Sequence, residues 1–207
     1  MKGLLLKDTY VILKQMRAMM IFTLVIALIP VGGIFSYAIC YAVLTPITAL
    51  AYDERAKWNQ YAAAMPYSSK DMVFSKYLLG YVMTFGVMFL VALSRGIYAI
   101  VMGEVGFADS LSLIVMVGCI ALLMQAVNLP PMFKFGVEKC RMIYNLLLVI
   151  IIVCSYTLVE SMLEDGMLTT AGITGVLSGK YLLLLVVVTM VVNLISVKIS
   201  EKLYAGK

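Results

Sequence analysis

The 207-residue sequence predicts an all-α integral membrane protein: six transmembrane helices, both termini cytoplasmic, and a short amphipathic interface helix at the N-terminus. Three observations lead there. Hydrophobic side chains make up 63% of the chain and charged ones 13%, with a mean hydropathy of +1.03. Soluble domains carry about 45–50% apolar and about 25% charged residues, so charge is too scarce here to cover a globular surface. The charges are also clustered, leaving runs that match the ~20 apolar residues needed to cross a ~30 Å hydrocarbon core. Finally, the cations fall largely on one side. A disordered chain, polar and highly charged, is excluded by the same figures.

Residues 1–17 form the interface helix. At about 100° per residue, Leu5, Ile12 and Met16 share one face while Lys7, Lys14 and Arg17 take the opposite one, the pattern of a helix lying among headgroups with its basic face toward anionic lipid. Such a helix fixes topology and can also contact a cytoplasmic partner. No uninterrupted apolar stretch starts near Met1, so no cleaved signal peptide is expected.

The first charge-free run, Ala18 to Tyr52, would reach about 52 Å as one helix, beyond a ~30 Å core even when tilted. Pro30-Val31-Gly32-Gly33 breaks it in the middle, giving a hairpin of two short spans, 18–31 and 34–52. The remaining spans are 77–102, 110–131, 142–160 and 181–198. The positive-inside rule tests this count. With six spans, fourteen of the sixteen cations are cytoplasmic: four at the N-terminus, four in 53–76, three in 134–141 and three at the C-terminus. Only Arg95 and Lys180 are exceptions. The net charge of +5 then reflects retention beside an anionic leaflet, and no nucleic-acid partner is implied.

The loop 53–76 is the most informative. Asp53 and Lys57 stand four apart, and Trp58, Tyr61 and Met65 form a helical stripe, so a short aromatic-bearing helix is expected, ended by Pro66. Ser68 with Asp71 resembles a capping box opening the next helix. Trp58 is either an interfacial anchor or part of a partner-docking surface. In the second inner loop, Pro130 and Pro131 are expected to end the fourth span, and Lys134, Lys139 and Arg141 sit at the membrane edge. Outside, Glu104, Asp109, Glu160, Glu164 and Asp165 make a small acidic surface. Residues 161–179 form a loop or a re-entrant element.

Catalytic signals are lacking. The sequence has no histidine, hence neither the commonest general base nor the commonest transition-metal ligand. Cys40, Cys119, Cys140 and Cys154 show no CxxC spacing and read as small packing residues. No cofactor and no metal site is expected. Gly175 to Tyr181 only approximates a Walker A sequence, with three residues between the glycines and tyrosine in place of Ser/Thr. Within the spans, Arg95 either snorkels to the outer headgroups or pairs with Glu104 or an acidic substrate. Gln125, Asn128 and Asn193 either line a pathway or bond neighbouring helices. No acid occurs mid-span, which argues against an ion-coupled transporter.

Asp53-Glu54-Arg55-Ala56-Lys57-Trp58, with Met65-Pro66-Tyr67-Ser68-Ser69-Lys70-Asp71 and Ser75-Lys76-Tyr77-Leu78, resembles the first cytoplasmic loop of small bacterial permeases of type-2 ATP-binding-cassette exporters. Leu129-Pro130 and Lys134-Phe135-Gly136 with Glu138-Lys139 are similar to the same family's motif after its fourth span. The resemblance covers nearly the whole chain. It implies a permease in the cell membrane that pairs with a second permease chain and binds separate cytoplasmic ATPase subunits. It also implies that Asp53, Glu54, Trp58 and Tyr61, with Lys57 and Pro66 beside them, transmit ATP-driven closure. The sparse intramembrane polar groups favour a hydrophobic or peptide-like cargo moved by alternating access. The rival reading is a membrane-embedded immunity or sensor protein that binds a peptide and moves nothing, and that has no need of a docking helix.

Overall fold

A computed structural model describes residues 2–29, 34–58, 61, 68–102, 107–142 and 179–205. Six helices are named here: α1 (Lys2–Gln15), α2 (Arg17–Ala27), α3 (Phe35–Arg55), α4 (Ser69–Met102), α5 (Phe107–Phe135) and α6 (Gly179–Ala205). Residues 137–142 are also helical, and no strand occurs among the described residues. The all-α membrane class holds. Phe35–Arg55, Lys70–Met102, Ser110–Phe135 and Leu182–Tyr204 are each long and apolar enough to cross a bilayer. The expected span 142–160 beyond Met142, the stretch 161–178, Pro30 to Gly33, Pro66 and Glu104 lie outside the described residues.

α1 and α2 meet at 82° around Met16, as an interface helix turning into a span would. Met16 leaves the helical region at φ −106° and ψ 19°. Helical bonds still flank the bend, Met16 N–H to Ile12 O and Met20 N–H to Met16 O, both 3.0 Å. α2 itself has 11 residues, about 16 Å at the helical rise, shorter than a hydrocarbon core. It runs antiparallel to α3. Phe22 meets Tyr41 edge-on at 5.4 Å, and Ala27 joins Phe35, Ala38 and Ile39 in one buried cluster.

Apolar packing forms at both ends of the bundle. At one, Val91 of α4 and Ile114 of α5 complete the Ala27–Phe35 cluster. At the other, Ile47, Val73, Tyr77, Leu129 and Phe133 pack with Val197 and Tyr204. The outward faces of α4 and α6 carry exposed Val82, Phe85, Phe89, Leu183, Leu184 and Leu194. An exposed apolar surface of this extent suits lipid as its solvent.

The prolines correct an expectation. α5 does not end at Pro130 and Pro131; it continues through both to Phe135. Pro130 has no N–H to give Ala126 O, four residues back, so that carbonyl is left without its helical donor. Ser196 of α6 supplies one, its hydroxyl donating to Ala126 O at 2.5 Å. A neighbouring helix thus satisfies the group that proline freed, which is how prolines are tolerated inside membrane helices.

Candidate functional site

The N-terminal half of α1, the C-terminal ends of α3, α5 and α6 and the start of α4 converge at one end of the bundle. α1 and the bend after it bury a stripe at four-residue spacing: Leu4, Asp8, Ile12 and Met16, all under 5% exposed. Three members are apolar; Asp8 is an acid at 1%. A carboxylate so buried needs cations, and two reach it. Lys76 Nζ of α4 donates to Asp8 Oδ1 at 2.7 Å, and Lys7 Nζ lies 3.1 Å from the same oxygen. Both ammonium groups also bond Asp53 at the end of α3, Lys7 to Oδ1 at 2.7 Å and Lys76 to Oδ2 at 2.6 Å. The four side chains make a closed ring of alternating sign joining three helices. Side-chain exposures of 21% for Lys7, 11% for Asp53, 6% for Lys76 and 1% for Asp8 place it well away from ordinary surface pairs. Asp8 Oδ2 is buried with no hydrogen-bond partner among the described residues.

This corrects two expectations. Lys7 does not face lipid with Lys14 and Arg17; its stem turns inward to Asp53. Nor does Asp53 open a separate aromatic helix or pair with Lys57. It belongs to the last turns of α3, which ends at Arg55, and Lys57 follows in the left-handed region at φ 51°. That turn is closed by Ala56 N–H to Tyr52 O at 2.9 Å and Lys57 N–H to Glu54 O at 3.1 Å. Helix resumes at Trp58, which lies half-buried with Lys7 Nζ 4.2 Å from its ring centroid; Tyr61 is exposed. Ser68 caps α4 through Lys70 N–H at 3.4 Å.

Glu54, one residue on from Asp53, faces another way. Its Oε2 accepts from Val137 N–H at 2.6 Å, at the start of helical residues 137–142, where a carboxylate also suits the positive end of a helix. Gly136 makes the approach possible. At φ +87° it ends α5 in the left-handed conformation, with Gly136 N–H on Met132 O at 3.0 Å, and a Cβ there would stand 2.6 Å from Glu54 Oε1. The two loops singled out in the sequence, 53–76 and 129–141, are therefore physically joined through Glu54.

Around that joint opens a cleft of about 380 Å³ walled by Glu54, Arg55, Val137, Glu138 and Arg141. Lys134, its ammonium 5.1 Å from the Phe135 ring centroid, Phe135 itself and Lys139 are exposed. Cys140 is buried nearby; burial first, then the Glu54 carboxylate, pushes its thiol up from the ordinary value. Tyr204 of α6 closes the inner side, edge-on to Phe133 at 5.8 Å and donating to Met72 Sδ at 3.2 Å.

The intramembrane polar residues lie elsewhere. Arg95 is at the far end, donating to Ser110 Oγ at 2.9 Å between the rings of Phe35 and Tyr98. Gln125 donates to Tyr77 O at 3.3 Å and presses on Gly80. Asn128 is buried. Asn193 accepts from Tyr81 O–H at 3.0 Å and donates to Thr189 O and Leu122 O. It also borders an apolar cavity of about 460 Å³ between α4, α5 and α6. Tyr77 O–H lies 2.6 Å from Ser196 Oγ and 2.9 Å from Ser200 Oγ, adding to the α4–α6 lock.

Lys7 and Asp8 lie outside every motif, and Lys76, though it stands in the Ser75–Leu78 motif, carries no sign there of its role in the ring. The available signal was Asp8, an acid in the middle of an otherwise apolar four-spaced stripe.

No curated protein and no solved structure matches the chain. The family model described as ABC-2 family transporter protein matches residues 3–205. The match runs through both joined loops and the ring, and the chain therefore belongs to the ABC-2 transporter family, as a membrane permease that works with separate ATPase subunits.

Proposed function

We propose that the chain is the permease of an exporter in the cell membrane, paired with a second permease chain and driven by cytoplasmic ATPase subunits. It moves a hydrophobic or peptide-like cargo by alternating access. The observation that carries this reading is the junction at one end of the bundle. Asp53 ties the end of α3 to α1 and α4, while Glu54 ties the same turn to the second loop. A push on the segment carrying Trp58 and Tyr61 would thus reach α1, α3, α4 and α5 together, which is what coupling to a docked ATPase requires. A partner-binding surface alone needs no such joint. The cargo class is supported by the apolar wall of the 460 Å³ cavity, where Tyr81, Thr189 and Asn193 are among the few polar groups.

The test is co-purification of the full chain with its ATPase, followed by an ATPase assay. Stimulation by the wild-type chain, lost on Glu54→Ala and Trp58→Ala, is the expected result. A chain that recruits no ATPase sinks the coupling reading, and a strongly hydrophilic cargo sinks the cargo class.

A further inference from the structure

We propose that Asp8 and Lys76 are positioning residues for coupling: through the ring they set the rotation of the last turn of α3 and the seat of Trp58. This rests on the permease reading above. Asp53 and Glu54 are adjacent, and adjacent helical residues point about 100° apart. Whatever fixes Asp53 against α1 and α4 therefore also fixes the direction in which Glu54 leaves α3, toward Val137 N–H. Asp53 is held by Lys7 and Lys76, and both of these are held in turn by Asp8.

Lys7 adds a second constraint. The left-handed turn at Lys57 lies between Asp53 and Trp58 and could act as a hinge there, absorbing motion of the following segment. The Lys7 ammonium, bonded to Asp53 and 4.2 Å from the Trp58 ring centroid, bridges that hinge. Asp8 and Lys76 are the most buried corners, and among the described residues their side-chain ion pairs and hydrogen bonds all lie within the ring, so their hold on Glu54 and Trp58 runs through Lys7 and Asp53.

The closed ring gives a charge test. Asp8→Asn leaves two lysines sharing Asp53; Lys76→Met leaves two acids sharing Lys7. Removing both leaves the Lys7–Asp53 pair, balanced and still beside Trp58. In the complex with the ATPase that co-purifies with the wild-type chain, each single variant is expected to keep ATPase binding yet lose about tenfold of its stimulation, since removing one partner of a buried pair costs far more than removing both. The double variant should return to within about threefold of wild type on the same ground. Trp58 is the only tryptophan, so iodide quenching of the purified permease reads its seat directly. Quenching should rise in the single variants and fall back in the double.

Full stimulation and unchanged quenching in a folded single variant overturn the proposal, as does a double variant at least as impaired as the worse single. If a single variant fails to fold, the balanced double and the charge-keeping Lys76→Arg decide by the same two readouts. If the wild-type chain recruits no ATPase, the permease reading has failed, whereas the quenching series still upholds or overturns the positioning of Trp58.

Discussion

Gly136→Ala tests the joint between the two loops at its tightest point. An alanine at φ +87° pays the left-handed penalty of about 1–2 kcal/mol. Its Cβ would also stand 2.6 Å from Glu54 Oε1, closer than real Cβ contacts come, so the carboxylate must move off Val137 N–H. A hydrogen bond to a charged group contributes about 1.5–3 kcal/mol, and the solvent-facing Glu54 puts this one at the low end. The sum is about 2.5–3.5 kcal/mol, a large share of the 5–15 kcal/mol typical of a folded domain. Chemical denaturation in detergent, followed by circular dichroism, measures it. Repeating the substitution in a Glu54→Ala background isolates the contact. There only the backbone term of about 1–2 kcal/mol should remain, leaving a coupling of about 1.5 kcal/mol between the two positions. Costs that simply add would refute the contact. A Gly136→Ala chain within about 0.5 kcal/mol of wild type would refute the backbone argument too.

Ser196→Ala should cost about 0.6–1.7 kcal/mol by leaving Ala126 O without its donor and Tyr77 O–H without one of its two hydroxyl partners, and Pro130→Ala in that background should recover only the first part by restoring a helical N–H; unfolding of both variants checks this. Gly80→Ala drives a methyl into the Gln125 side chain and should cost about 1–3 kcal/mol, whereas Gly86→Ala, whose Cβ meets open space, should be neutral or gain up to about 1 kcal/mol. In a chain with Cys40, Cys119 and Cys154 replaced by alanine, Cys140 should react slowly with maleimide at neutral pH because its raised pKa lowers the thiolate population. The rate should climb as pH rises past the ordinary thiol range, and Glu54→Gln should quicken it at fixed pH, by less than exposing the thiol would, since Glu54 is the smaller of the two causes.

Among the described residues, the helices α1 to α6, the bend after α1 and the packing of α2 back on α3 were legible because each follows from local chemistry. Apolar runs set the helices, and the Lys14–Arg17 charges mark where the interface helix gives way to a span. Two boundaries were not legible, for reasons that lie far off in the chain. Proline signals an end to α5, but Ser196, 70 residues away, donates to the carbonyl that Pro130 frees, and the helix runs on. Lys57 occupies a left-handed turn that usually takes Gly or Asn. Nothing about a lysine announces that, so the Asp53–Met65 pattern reads as one unbroken helix.

The site divides along the same line. Glu54 and Gly136 were both singled out, because the two loops carry recognisable motifs. Their contact was not, since it depends on α3 and α5 ending side by side. The ring is the instructive case. A helical wheel gives the direction of a Cα, and by that measure Lys7 belongs with Lys14 and Arg17. A lysine has a flexible four-carbon stem, however, and an acid within reach outweighs the wheel. What the wheel does show is Asp8, on the same stripe as Leu4, Ile12 and Met16. An acid there is tolerable only if cations come to it, and one lysine cannot balance both Asp8 and Asp53. The second comes from another helix, as Lys76 at the start of α4. An unmatched charge on an apolar stripe thus marks a tertiary contact before its partner is known.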